Sequence, residues 1–165
     1  MPPTASATDA VWFDHTLLDA LSAEARQSSR LRRNRNLHAS TDEAVQRLFN
    51  AIEPGSYVQP HCHLAADKAE TLLMLRGRLG VILFDDAGRI TQVHELSAGG
   101  CAGVHLQPGL WHSVVALAPG TLFLEVKAGP YVPLTTAERA PWAPMENTAD
   151  ASSYQAMLSA LFAAS

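Results

Sequence analysis

A chain of 165 residues, 47% of them hydrophobic, is long enough to enclose one well-packed core and short for two. Its formal charge of -4 lacks the basic excess of nucleic-acid binders, and no run approaches the ~20 apolar residues that cross a bilayer. Two cysteines, Cys62 and Cys101, are too few for a disulfide scaffold, and the opening residues show no basic stretch followed by an apolar one. The expectation is a cytoplasmic protein with free thiols that binds neither nucleic acid nor membrane.

Residues 1–12 are rich in Pro, Ala, Ser and Thr and read as a disordered segment. Asp14 as N-cap, followed by Leu17, Leu18, Leu21 and Ala25 at helical spacing, predicts an amphipathic helix to about Gln27. Next comes a basic cluster, Arg30, Arg32, Arg33 and Arg35. Extended, this segment places Asn34, Asn36 and His38 on one face and Arg33, Arg35 and Leu37 on the other. Guanidinium groups suit carboxylate or phosphate, so Arg33, Arg35, Asn36 and His38 are candidate substrate-binding residues; the alternative is solvated arginines paired with surface acids. Ser40 with Glu43 has the form of a capping box, and Val45, Leu48, Phe49 and Ile52 follow helical spacing, but the sequence leaves a helix or a strand before the Pro54-Gly55 turn undecided.

Beyond Gly55 the pattern changes to short runs at 70–76, 79–84, 89–96, 103–107, 112–117 and 122–127, separated by turn signals such as Asp85-Asp86-Ala87-Gly88. Runs of this length and spacing predict an antiparallel sandwich or barrel, with Gly77 and Gly80 at tight bends. Pro130-Tyr131-Val132-Pro133 and Pro141-Trp142-Ala143-Pro144 interrupt regular structure and read as a wrapping segment anchored by Trp142. Asp150 is expected to cap a last helix with Tyr154, Met157, Leu158, Leu161 and Phe162 on one stripe, docked on the barrel or on a second subunit.

Chemistry concentrates in residues 55–77. On a strand, His61 and His63 share a face and Cys62 takes the other, which argues against a thiolate site. Glu70 opens an apolar strand that returns beside them. His112 stands downstream in Pro108-Gly109-Leu110-Trp111-His112. Three imidazoles and a carboxylate suit one divalent ion of Fe, Mn, Ni, Cu or Zn better than Mg or Ca. His15, His94 and His105 read as surface or core residues. By the same alternation Tyr57 and Gln59 lie with His61 and His63, Leu72 and Met74 with Glu70, and Val114 with His112. Gln59 joins the candidate substrate-binding residues and Tyr57 the candidate catalytic ones. If Phe123, Glu125 and Lys127 face inward, Glu125 is a candidate acid or base; otherwise it is a surface carboxylate.

The spacing Gly55, five residues, His61, one residue, His63, then Glu70, six residues, Gly77 resembles the first cupin motif, and Gly109, two residues, His112 resembles the core of the second. The words around Arg30–His38, Tyr57-Val58-Gln59-Pro60-His61-Cys62-His63 and Asp67-Lys68-Ala69-Glu70-Thr71 further resemble WbuC-type cupin-fold metalloproteins associated with polysaccharide gene clusters. The resemblance implies an all-β, cupin-type antiparallel β-barrel (jelly roll) at 13–129 with a leading helix and a strand just before the Pro54-Gly55 turn, then a wrapping segment and C-terminal helix at 130–165. It also implies a metal site of His61, His63, Glu70 and His112, and a homodimer. Six residues separate His63 from Glu70, a longer gap than the general pattern has, which makes Asp67 a rival ligand. The functions implied are a metal-dependent isomerase, epimerase, lyase or dioxygenase acting on a small oxygen-rich substrate such as a sugar or sugar nucleotide. The alternatives are a non-catalytic sugar-binding module and a metal-free epimerase with His61 or His112 as base.

Overall fold

The computed structural model describes residues 10–163; of the segment 1–12 expected to be disordered, residues 1–9 lie outside those described, and Val11 and Trp12 are exposed. In chain order it runs through helix α1 (His15–Gln27), strands β1 (Arg32–Asn36), β2 (Val45–Ile52), β3 (Glu70–Arg76), β4 (Arg78–Phe84), β5 (Ile90–Ser97), β6 (Gly103–Leu106), β7 (Trp111–Ala116) and β8 (Thr121–Ala128), a 3-10 turn at Thr136–Glu138, and helix α2 (Ala151–Ala160). The strands form two antiparallel sheets, β1-β2-β8-β3-β6 and β5-β4-β7. Leu72, Met74, Leu79, Val81, Val114 and Phe123 fill the space between them. This is a jelly-roll-like arrangement, the fold class that the resemblance implies, with two separate sheets in place of a closed barrel. No helix among the described residues is long and apolar enough to cross a membrane.

Part of each sheet's outer face is covered, over β2 and β8 by α1 and over β4 and β7 by the C-terminal segment, which explains why those strands read as continuous apolar runs. In β4, Leu79 and Val81 point between the sheets. Ile82 and Phe84 point outward, where Val115 of β7 and Leu158 and Phe162 of the C-terminal helical segment cover them. In β8, Phe123 faces inward, and Leu122 packs outward with Phe49 against Leu18, Leu21 and Ala25 of α1. Asp14 caps α1 as its sequence predicts, accepting from the Leu17 amide at 2.9 Å.

Residues 45–52 are a strand despite their helical spacing. Every residue of β2 pairs with β8, and Leu48 to Ile52 also pair with β1. Leu48, Phe49, Ala51 and Ile52 are buried in that central position. Glu43 still accepts from the Ala39 and Ser40 amides, so the capping-type contacts form without a helix behind them. The C-terminal helix also departs from expectation: the Asp150 side chain makes no cap, and Met157 is 43% exposed. Its buried face is Ala151, Gln155 and Leu158.

Gly77 sits at the β3–β4 bend with φ +79°, as a tight turn requires. Gly80 has another reason. A Cβ there would lie 2.4 Å from the Phe162 ring, so the glycine makes room for the C-terminal segment and marks no bend. Gly80→Ala is expected to destabilise the protein by about 1–3 kcal/mol in urea unfolding, and by distinctly less in a Phe162→Ala background. Equal costs in both backgrounds would contradict this packing.

Candidate metal centre

His61, outside the regular strands, meets His112 of β7 through an isolated antiparallel bridge. The His61 amide donates to the His112 carbonyl at 3.0 Å, and the His112 amide donates to the His61 carbonyl at 2.9 Å. Their ring centroids lie 4.5 Å apart, and the His63 ring lies 5.4 Å from that of His61. Cys62, between the two histidines, is fully buried on the other side of the segment. Glu70, the first residue of β3, is 4% exposed, whereas Asp67 is exposed on the preceding loop. The structure thus brings Glu70 beside the histidines.

Two of the imidazoles are oriented in the same manner. Nδ1 of His61 lies 3.0 Å from the Gln59 carbonyl, and Nδ1 of His112 lies 2.9 Å from the Leu110 carbonyl. A carbonyl accepts only from N–H, so each ring carries its hydrogen on Nδ1 and leaves the Nε2 lone pair free. One ligand atom each from His61, His63 and Glu70 lies within 4.8 Å of the others. Glu70 Oε1 is 2.7 Å from His112 Nε2 and 3.4 Å from His63 Nε2. With the His112 hydrogen on Nδ1, Nε2 has none to donate, and Glu70 Oε1 and His63 Nε2 are buried without a hydrogen-bond partner.

Leaving such groups unsatisfied costs about 1–3 kcal/mol each, and a cation taking both lone pairs removes that cost. Donor atoms about 2.1 Å from one ion and at right angles to each other are roughly 3 Å apart, close to the spacings seen here. The residues therefore fit one divalent transition-metal ion. Burial, helped by His112, pushes His61 down to about 3, which keeps its ring neutral and able to ligate. Burial pushes the Glu70 carboxyl up, but His112 and His63 together bring it well below the usual carboxylate range. For His112 burial acts downward, and Glu70 beside it more than compensates, so its pKa is raised.

A cavity of about 340 Å³ opens beside this cluster. His61, Glu70 and His112 line one part of it, Asn50, Glu125 and Lys127 another, and Arg32, Arg33 and Asn34 of β1 a third. Glu125 accepts from Asn50 Nδ2 at 2.8 Å and pairs with Lys127 Nζ at 2.5 Å. Burial acts to lower the Lys127 pKa, and Glu125 outweighs it, leaving the ammonium raised.

Of the arginines singled out from the sequence, Arg33 borders the cavity at the edge strand β1 but shares the outward face of Arg35, which pairs with Glu24 of α1. Asn36 is exposed and outside the lining. His38 is buried with Nδ1 on the Arg47 backbone, and Gln59 Nε2 reaches the Ala140 carbonyl at 3.4 Å. Tyr57 is also turned away, its hydroxyl donating to the Pro144 carbonyl at 2.7 Å. Alternation fails for Tyr57 and Gln59 because residues 56–60 belong to no strand. Arg32, Asn34, Asn50 and Lys127 line the cavity without having been singled out. A polar Asn50 within an apolar strand, and Lys127 two residues after Glu125, were the available signals. His15, His94 and His105 are exposed.

The family model described as Domain of unknown function (DUF6016) matches residues 13–96. No curated protein matches the chain. Similar solved structures include a mutant of Bacillus subtilis oxalate decarboxylase OxdC, at 27% identity over 55% of this chain and 22% of that one, with a TM-score of 0.45. A second, reported in a study of the Mn(II) centres of B. subtilis oxalate decarboxylase, has 23% identity over 66% of this chain and 27% of that one, with a TM-score of 0.49. The same enzyme at pH 4.6 matches at 25% identity over 61% and 25% of the two chains, with a TM-score of 0.47. This chain spans about a quarter of the length of these proteins.

Burial, with Tyr154 and Glu146 nearby, raises the Tyr57 phenol well above the usual tyrosine range. The folded chain therefore keeps a proton that the unfolded chain releases above about pH 10, and stability falls as pH rises through that range. Tyr57→Phe should cost about 1 kcal/mol in urea unfolding at neutral pH and lessen the alkaline loss. It should leave metal content unchanged; a loss of metal would instead connect the hydroxyl with the cluster.

Proposed function

This chain belongs to the family described as Domain of unknown function (DUF6016), and we propose that it holds one divalent transition-metal ion and acts with it on a small oxygen-rich molecule. The proposed ligands are His61, His63, Glu70 and His112. The observation that carries this reading is the pair of buried, unpartnered donor atoms, His63 Nε2 and Glu70 Oε1, facing two imidazoles already fixed by backbone carbonyls. The mixed nitrogen and oxygen set suits Fe, Mn, Ni, Cu or Zn. Such an ion, when bound, polarises a carbonyl or hydroxyl oxygen or lowers the pKa of its water towards ~7.

The remaining polar groups are the chain's own. Glu125 is held in place by Asn50 and Lys127 on the cavity wall, a position from which it takes a proton from, or returns one to, a molecule lying there. Hydroxylated molecules such as sugars match the amides and charged groups that surround it. A second reading, a binding module without turnover, is favoured by the same Glu125–Lys127 pair, since a carboxylate already neutralised by an ammonium also serves as a fixed wall. Product formation separates the two.

Purified protein should carry roughly one transition-metal ion per chain by elemental analysis. His61→Ala, His112→Ala and Glu70→Gln should lose most of it, while His94→Ala and Asp67→Asn retain it. Equal metal content in all five variants would remove the proposed ligand set, and a metal-free protein with turnover that depends on His61 would favour general-base chemistry.

A further inference from the structure

Of the cationic side chains around the cavity, Lys127 is the one that faces inward with donors to spare. The β1–β2 register sets Arg32 opposite Ile52, which packs between the sheets, and Arg33 opposite Ala51, which packs against α1, so of these two arginines only Arg32 points inward. Its guanidinium is already engaged, by the Tyr57 carbonyl at 2.7 Å and by Glu146 at 2.9 Å. Arg30 forks around the same Glu146. Lys127 shares the inward face of β8 with Phe123 and Glu125 and stands directly opposite Glu70 of β3. Cβ atoms of residues so opposed lie about 4.5–5.5 Å apart, so the lysine side chain starts beside that of Glu70.

An ammonium carries three N–H donors and accepts nothing. Lys127 gives one to Glu125 at 2.5 Å, and no other described side chain forms an ion pair with it. Its side chain is only 21% exposed, so the remaining donors are turned to the cavity and not to bulk water. Glu125 offsets the charge of Lys127, and Glu70 offsets half that of a divalent ion, which leaves one positive charge in excess at this end of the cavity. A carboxylate matches a single charge, whereas a phosphate, at about −1.5 to −2 near neutral pH, exceeds it.

Building on the metal site proposed above, we propose that the ligand of this cavity is a small hydroxylated monocarboxylate, whose carboxylate is received by Lys127 beside His61, Glu70 and His112. Lys127 thereby selects the ligand as well as holding Glu125. Asn34 and Asn50, opposed across β1 and β2, offer amides to its hydroxyls. Ligand pockets run from about 300 to 1,000 Å³, and a cavity of about 340 Å³ keeps the molecule to a few carbon atoms.

Proton NMR with Mn(II)-loaded protein tests this, because the paramagnetic ion broadens the resonances of a probe bound beside it. Glycerate, glycerol and glycerol 3-phosphate share one three-carbon skeleton and differ in charge, and elemental analysis of every sample separates metal uptake from ligand binding. Glycerate should bind about tenfold or more tightly than either of the others. Lys127→Met keeps most of the side chain and removes its charge; it should weaken glycerate binding about tenfold or more with metal content unchanged, and Lys127→Arg should restore part of it. Lys127→Met combined with Glu125→Gln removes the pair without altering net charge, and binding should stay weak. The proposal is overturned if glycerate binds no more tightly than glycerol or glycerol 3-phosphate, if binding survives Lys127→Met, or if the double variant recovers it. Protein that takes up no metal overturns the metal site and this proposal together; metal-loaded protein without a preference for glycerate overturns this proposal alone.

Discussion

His61 and His112, far apart in the chain, exchange two backbone hydrogen bonds, and every other feature of the cluster is built around that bridge. It fixes two imidazoles side by side, and each ring is then set by the carbonyl two residues before it. The segment that carries His61 has no strand of its own to satisfy its backbone. Its polar groups go to its neighbours: Ser113 of β7 donates to the Val58 carbonyl, Ala140 to the Pro60 carbonyl, and Cys62 donates to the Glu138 carbonyl.

The C-terminal wrap is therefore part of the support for the cluster. Glu138 accepts from the Leu64 and Thr135 amides, which hold its carboxyl down to about 2, and so ties the loop after His63 to the wrap. Glu146 ties the same wrap to Arg30 and Arg32 beside the cavity. Beneath these contacts the packed space between the two sheets, with α1 and the C-terminal segment behind β2, β8, β4 and β7, gives the side chains little freedom to shift. A site held by rigid strands on one side and by a wrap on the other presents its donor atoms before any ion arrives.

The strands that build the inner cavity were legible because their alternation and turn residues are local. β3 begins and ends where its apolar run does, and Phe123, Glu125 and Lys127 share a face as period two requires. The histidine pair was legible from its spacing, although its segment forms no strand and the two rings meet without strand alternation. β2 was not, because its helical spacing competes with pairing to β1 and β8, and only the folded chain contains those partners. The basic cluster was legible as a cluster but not residue by residue: Glu24 and Glu146, both distant in sequence, decide which arginines turn away and which stay at the cavity. Tyr57 and Gln59 were assigned by an alternation that their segment does not have.

The central claim is that four side chains from three parts of the chain share one cation. Anomalous X-ray diffraction from crystals of the metal-loaded protein, collected at the absorption edge of the ion found by elemental analysis, tests it most directly. A single strong peak about 2.0–2.2 Å from the three histidine Nε2 atoms and from a Glu70 carboxylate oxygen is the predicted result. A peak elsewhere on the protein, or crystals of loaded protein with the four groups drawn together and no peak among them, would contradict it.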